Sequence, residues 1–506
     1  MRQQLFAIKP LRQLLDEMAG ENRLRRVLGP VQLTSLGVGA IIGAGIFVAT
    51  GAAARNVAGP ALMLSYVVAG MTCVFAALCY AEFASMVPVA GSAYTYAYAT
   101  LGELFAWIIG WDLILEYAVG SATVANGWSG YFQSVLAKFG VQLPAALAGP
   151  PIIYNAAGEF VHTAGVVNLP AIVIVAIVTA VLVKGIQESA GFNTTMVFLK
   201  VAAVFFVILV GAFYINPENW SPFAPYGMSG LSFFGRPLMG QVNAGGQPVG
   251  MLAGAAIIFF AYIGFDSVST HAEEAKNPTR DVPIGIIASL LICTVLYIAV
   301  VAVLTGMVRY DNLSVDAGVS DAFKQAGLPW AEFIIAAAGV AGITSVLLVL
   351  MLSAPRVFLA MARDGMVPPG FFGEVHPKFR TPWKSTILIG VFVATMTGFL
   401  PIDALLHLAN IGTLFAFLIV CAAVLIMRRT NPDAKRPFRA PFYPFVPILG
   451  IASCLMLMFS LPVANWYRLI AWMGLGLVIY FSYGYKRSAL AAQTRAVAAS
   501  GGSRRV

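Results

Sequence analysis

Apolar residues run in stretches of about twenty along most of this 506-residue chain, with polar residues collected between them. Set against a hydrocarbon core of about 30 Å, twelve stretches are long enough to predict membrane-crossing helices. They lie near 31–55, 60–86, 103–127, 168–184, 190–214, 249–272, 282–307, 330–362, 384–400, 404–427, 445–463 and 466–485. Two of them are interrupted by glycine in matching ways: GVGAIIGAGIF (Gly37 to Phe47) in span 1 and IIFFAYIGFDS (Ile257 to Ser267) in span 6. Glycine weakens a helix interior, and a break enclosed by protein at membrane depth bares backbone hydrogen-bonding groups to a buried solute.

Five spans separate the two breaks, and an odd offset reverses the direction of crossing. Spans 1 to 5 (31–214) and 6 to 10 (249–427) are therefore expected to be inverted copies that enclose a site near the bilayer midplane. A cytoplasmic segment (1–30) precedes them. Two further helices (445–485) and a cytoplasmic tail (486–506) follow. Gly39 and Gly43 alone would read equally well as a GxxxG packing face. The density of Gly37, Gly39, Gly43 and Gly45, with a second interruption at the symmetric place, favours broken helices. The outer segments 138–167 and 215–248, rich in Pro and Gly, are expected to be irregular or briefly helical.

Composition agrees with a membrane setting, at 59% hydrophobic and 10% charged residues. A net charge of +9 in a soluble protein would raise nucleic acid as a partner. Here 24 of the 31 Lys and Arg fall on one side of the predicted spans and six on the other, with Lys200 inside a span. Positive-inside topology explains that bias, places both termini in the cytoplasm and removes the nucleic-acid reading. Residues 1–28 lack the apolar core of a signal peptide. Leu11, Leu14, Leu15 and Met18 recur at helical spacing, as in a segment lying on the cytoplasmic membrane face. Residues 491–506 read as disordered. The five cysteines all fall in predicted spans without the close pairs of a zinc site, so they read as buried small hydrophobes and no metal is expected.

The physics of paired breaks selects a type of ligand. The N-terminal end of a half-helix offers N–H groups to a carboxylate, and exposed carbonyls of the other break accept from an ammonium. A zwitterionic amino acid satisfies both, without any charged side chain in the motif. Lys200 lies near the middle of span 5, too deep to snorkel. It reads either as a structural donor to carbonyls at a helix break or as a group whose proton responds to the side the site faces. Asp112 and Glu116 are one turn apart on span 3, and Glu116 is expected to be protonated, paired or beside a wet cavity. Glu82 and Asp266, nearer span ends, are expected to be paired or to reach interfacial water. His271 reads as structural.

Longer motifs carry a resemblance. LGPVQLTSLGVGAIIGAGIF, PVAGSAYTYAY (Pro88 to Tyr98), GWDLILEY (Gly110 to Tyr117), FFAYIGFDSVST, EEAKNPTRDVPIGI, ARDGMVP (Ala362 to Pro368) and LANIGTLFAF (Leu408 to Phe417) resemble the amino acid/polyamine/organocation superfamily. Within it they are most similar to the cationic amino acid transporter branch and its bacterial relatives, over roughly residues 25–485. The resemblance implies an all-α polytopic membrane protein of twelve transmembrane helices. It also implies a LeuT-type five-plus-five inverted repeat with helices 1 and 6 broken, two extra C-terminal helices, and alternating access.

Carried over by motif, the substrate carboxylate meets the backbone around Gly43, at Ala44 and Gly45. The amine meets the carbonyls of Ile41, Phe260, Ala261 and Ile263. Phe260 also acts as the gate, Glu116 is the acid near the site and Val346 walls the side-chain pocket. Lys200 matches the family lysine that takes the place of a sodium ion, and so becomes the proton-coupling residue. Two departures stand out. Ala44 replaces a residue that is often hydroxylated, and Pro355 precedes Arg356 where Ser or Thr is more usual, so a kink in span 8 is expected.

The resulting expectation is a cell-membrane permease and not an enzyme, driven by a proton gradient without a cofactor. It is expected to carry neutral or broad-range amino acids through the lipid bilayer as a symporter. An exchanger, a carrier of cationic amino acids and a non-transporting amino acid sensor are the alternatives. A small membrane-protein partner would leave no readable mark.

Overall fold

The computed structural model describes residues 2–10, 28–87, 92–154, 160–185, 189–234, 236–243, 246–315, 318–379, 381–490 and 492. Leu11, Leu14, Leu15 and Met18, the start of the PVAGSAYTYAY motif at Pro88 to Gly91, and all of the tail 491–506 except residue 492 lie outside them.

Each of the twelve apolar stretches coincides with helix, and the span numbers are kept as labels. Span 1 starts with Pro30–Ile41 and resumes after a break in π and α turns that end at Ala58. Span 2 is Leu62–Met86, span 3 Glu103–Lys138, span 4 Leu169–Lys184 and span 5 Ser189–Gly211. Span 6 comprises Met251–Ile258, a 3-10 turn Phe259–Tyr262 and Ser267–Thr270. Then come span 7 (Pro278–Met307), span 8 (Pro329–Arg363), span 9 (Trp383–Phe399), span 10 (Ile402–Thr430), span 11 (Phe445–Phe459) and span 12 (Val463–Ile479).

Seven helical runs among the described residues are long and apolar enough to cross a membrane. They are Pro30–Met86, which takes in spans 1 and 2, Glu103–Lys138, Thr195–Tyr214, Met251–Thr270, Pro278–Met307, Pro329–Arg363 and Ala404–Thr430. Phe445–Phe459 and Val463–Arg487 pass together as a pair bent by 111°, and Leu169–Lys184 and Trp383–Phe399 are shorter apolar helices.

Helices five spans apart pack on each other: 1 on 6, 2 on 7, 3 on 8 and 4 on 9. Span 10 lies against spans 3 and 11. Leu28 and Ala275 form a parallel bridge (Leu28 N–H to Glu274 O 3.0 Å, Lys276 N–H to Leu28 O 2.8 Å), which ties the start of span 1 to the end of span 6.

Several boundaries differ from the expectation for physical reasons. Span 3 continues past 127 to Lys138 because its polar residues there find partners. Asn168 donates to Asn126 Oδ1 (2.7 Å) and accepts from Ser129 Oγ (2.6 Å), and the amide of Gln133 donates to the Ala148 carbonyl (2.9 Å). Span 8 carries Pro355 inside a single helix, Pro329–Arg363.

The outer segments are not merely irregular or helical, and the chain is mostly rather than wholly helical. Antiparallel hairpins pair β1 (Ile152–Tyr154) with β2 (Phe160–His162), β3 (Leu231–Phe233) with β4 (Arg236–Met239), and β5 (Gln241–Val242) with β6 (Pro248–Val249). In the first hairpin the β-branched Ile152, Ile153 and Val161 and the aromatic Tyr154 and Phe160 favour extended pairing.

Candidate functional site

Both glycine-interrupted stretches are broken helices. In span 1 the helix stops at Ile41, Ile42 is extended (φ −71°, ψ 100°), and helical geometry returns at Ala44. In span 6 the 3-10 turn stops at Tyr262, Ile263 is extended (φ −57°, ψ 132°), and Gly264 has φ +120°. That backbone conformation strongly favours glycine.

The breaks interlock. A Cβ on Gly264 would lie 2.9 Å from the Ala40 carbonyl oxygen, and one on Gly45 would meet the main chain of Ala261. Only hydrogen side chains at both positions let the two backbones come this close.

The first segment of span 1 ends with carbonyls that lack an onward helical partner, each a potential cost of about 1–3 kcal/mol if buried unpaired. Long side chains from neighbouring spans supply the donors. The fully buried Lys200 ammonium donates to the carbonyls of Gly39 and Ile42 (the latter at 3.1 Å) and to Ser345 Oγ at 2.7 Å. It is thus a cation at the C-terminal end of a half-helix, where the helix dipole favours positive charge. Gly342 on span 8 leaves room for its stem, since a Cβ there would be 3.1 Å from Lys200 Cβ.

The Tyr297 hydroxyl donates to the Ile41 carbonyl at 2.8 Å. At the other break, the Asn410 amide of span 10 donates to the carbonyls of Ala256 (3.0 Å) and Ile257 (2.9 Å).

A cavity lies where the breaks meet. Its backbone side is Ala40, Ile41, Gly43, Ala44 and Gly45, and opposite stand Val124, Phe260, Ile263, Val346 and Leu350. No charged side chain lines it. Its volume is about 10 Å³, on the order of a single water, so an amino acid enters only when these walls separate.

Of the residues expected at the site, Ile41, Gly43, Ala44, Gly45, Phe260, Ile263 and Val346 border this cavity. Ala261 stands behind Gly45. Lys200 sits behind the span 1 break instead of in the cavity wall. Glu116 is also absent from the lining; it is buried on the side of span 3 that meets span 10.

The other acids are placed by partners. Asp266 is fully buried and accepts from the Tyr117 hydroxyl (2.6 Å) and the Gly264 amide (3.2 Å), which braces the span 6 break. Glu82 is 2% exposed. It takes two bonds from Arg428 (2.9 and 2.5 Å) and one from the Ala440 amide (2.8 Å), with Arg436 at 3.4 Å. Neither acid reaches interfacial water. His271 Nδ1 lies 2.9 Å from the Ser267 carbonyl, a local structural contact.

Sequence reasoning did not find Tyr297, Asn410, Val124 or Leu350. Asn410 carried a signal as a lone amide inside the apolar run LANIGTLFAF. The other three look like ordinary membrane-helix residues.

With this geometry in place, the comparisons are informative. The family described as amino acid permease matches residues 28–480. The chain is 46% identical over 491 residues to the branched-chain amino acid permease BcaP of Bacillus subtilis, covering 97% of this chain and 100% of that one. It is 45% identical over 486 residues to the methylthioribose transporter of the same organism, covering 96% and 99%. Human cationic amino acid transporter 4 is 36% identical over 442 residues, 86% of this chain and 64% of that longer protein. A broken-helix cavity in a bundle of apolar helices and a match across nearly the whole chain lead to one assignment: this protein is a member of the amino acid permease family.

Proposed function

We propose that the chain is a secondary active transporter of neutral amino acids with aliphatic side chains, working by alternating access and linked to protons through Lys200. The observation that carries this reading is the cavity between the two interlocked breaks. Main-chain groups at Ala44 and Gly45 are available to a carboxylate, and the side-chain wall of Val124, Val346 and Leu350 is wholly apolar. A guanidinium or ammonium side chain would be desolvated there without a counter-charge, which argues against cationic substrates. The branched-chain permease among the relatives supports an aliphatic preference.

In this proposal twelve spans form two inverted halves, broken at spans 1 and 6, with spans 11 and 12 outside the repeat. The pairwise packing of spans 1 to 4 on spans 6 to 9 supports it, because a pseudo-two-fold axis brings equivalent elements together. Both termini lie in the cytoplasm of a cell-membrane protein, as the distribution of Lys and Arg argues, and no cofactor takes part.

Uptake of radiolabelled valine, leucine, phenylalanine and arginine into proteoliposomes tests the reading, with and without an imposed pH gradient and with or without internal substrate. Concentrative uptake of valine or leucine into empty vesicles under the gradient is the expected result. Uptake only into preloaded vesicles would make the protein an exchanger, and binding without counterflow would make it a sensor. Methylthioribose belongs in the panel, because similarity to its transporter is as extensive as that to the branched-chain permease. Uptake of that sugar alone would overturn the amino acid assignment.

A further inference from the structure

Asp112 and Glu116 stand one turn apart on the face of span 3 that meets span 10. Asp112 is completely buried, and neither of its carboxyl oxygens has a hydrogen-bond partner among the described residues. Opposite it is Gly412, where a Cβ would lie 3.0 Å from Asp112 Oδ1, so the glycine leaves the space this carboxyl group occupies. Glu116, 1% exposed, likewise has no partner for either oxygen. The Thr413 hydroxyl of span 10 lies beside it and donates to its own helix at Ala409 O (3.2 Å).

Buried polar groups in folded proteins are nearly always satisfied, so a carboxyl group with two orphaned oxygens in the membrane interior needs a chemical reason. As an anion it has no donor to replace the water it lost. One proton, bound to a carboxylate oxygen, removes the net charge and makes burial tolerable. The groups that face it offer no positive charge among the described residues. Glu116 is on its own helix, and beyond that is Asp266, already held by Tyr117 and the Gly264 amide. Span 10 presents Gly412 and Thr413. On adjoining faces of span 3, span 8 meets Gly110 through Met361, and span 12 packs against Trp111.

We infer that Asp112 is a proton-binding site in the membrane interior, occupied while spans 3 and 10 are packed as they are here and separate from the Lys200 site. The site takes up one proton as the carboxylate becomes the carboxylic acid and releases the same proton when the carboxyl group meets water. Its part in transport rests on the proton-linked reading proposed above; its existence does not.

Infrared difference spectroscopy of the purified protein in lipid nanodiscs at neutral pH, in H2O and D2O, tests it. The wild-type protein is expected to show the carbonyl stretch of protonated carboxyl groups, shifted in D2O. Asp112→Asn should lose one component of that band, Glu116→Gln should lose a different one, and Asp112→Glu should move the Asp112 component without abolishing it. A wild-type spectrum without the band, or a band unchanged in Asp112→Asn and Asp112→Glu, overturns the proposal. Absence of amino acid counterflow by the wild-type protein would instead sink the transport reading and leave the spectroscopic result to decide the proton site.

Discussion

A Cβ atom on Gly45 would sit 2.2 Å from the Cα of Ala261, so the second half of span 1 and the break of span 6 touch main chain to main chain. The close approach brings residues of both breaks into the wall of one cavity. It also makes the site intolerant of one added carbon.

Gly45→Ala should therefore force the two breaks apart. Overpacking of this kind costs about 1–3 kcal/mol, and it acts where the substrate is proposed to bind. A lowered thermal midpoint, no further stabilisation by added leucine and loss of uptake are expected. Wild-type uptake by this variant would show that the breaks do not need to touch.

Lys200→Met removes the donor to the carbonyls of Gly39 and Ile42, leaving buried acceptors that cost about 1–3 kcal/mol each. Some loss of stability is expected for a purely structural lysine as well. The informative readout is the response of uptake to an imposed pH gradient, which the variant should lose. Uptake that still responds fully would take Lys200 out of the coupling.

Val346 both walls the cavity and packs on Gly43, where a Cβ would be 2.7 Å from Val346 Cγ2. Val346→Ala should widen the side-chain pocket and shift preference from valine toward phenylalanine or methionine. The expected size is about tenfold or more, the usual scale for one or two methyl groups in an apolar pocket. Val346→Phe should exclude leucine. Competition of unlabelled amino acids against labelled valine measures both, and unchanged rankings would place the side chain of the substrate elsewhere.

Glu82 compensates Arg428 and Arg436 beneath the bundle, where the three side chains are 3%, 16% and 4% exposed. Glu82→Gln leaves buried guanidinium charge unpaired, for which a loss of about 3–5 kcal/mol is expected. A large fall in the thermal midpoint with the amino acid preference intact would confirm a structural role. A changed preference with normal stability would refute it.

Much of this arrangement was legible from the chain because its strongest signals are long or dense. Apolar runs of membrane length mark the helices, and four glycines within nine residues mark the first break. The partners across helices were not legible. Tyr297 and Val124 look like any other apolar-helix residues until the helix rotation is known, and that rotation is set by packing rather than by local preference. Glu116 was expected at the substrate because it matches the span 3 acid near the site in the superfamily the chain resembles. Two residues on one helix two turns apart can nevertheless meet different neighbours, and Glu116 meets span 10. The outer hairpins were hidden by Pro and Gly, which obscured the branched residues between them.

The two-residue bridge of Leu28 with Ala275 has a mechanical corollary. It joins both interrupted helices by main-chain bonds that only a proline replacement would remove. A tilt of either helix is then transmitted to the other as through a coupling rod, and a second main-chain tie, from the Gly250 N–H to the Val57 carbonyl (2.8 Å), holds their opposite ends together as well.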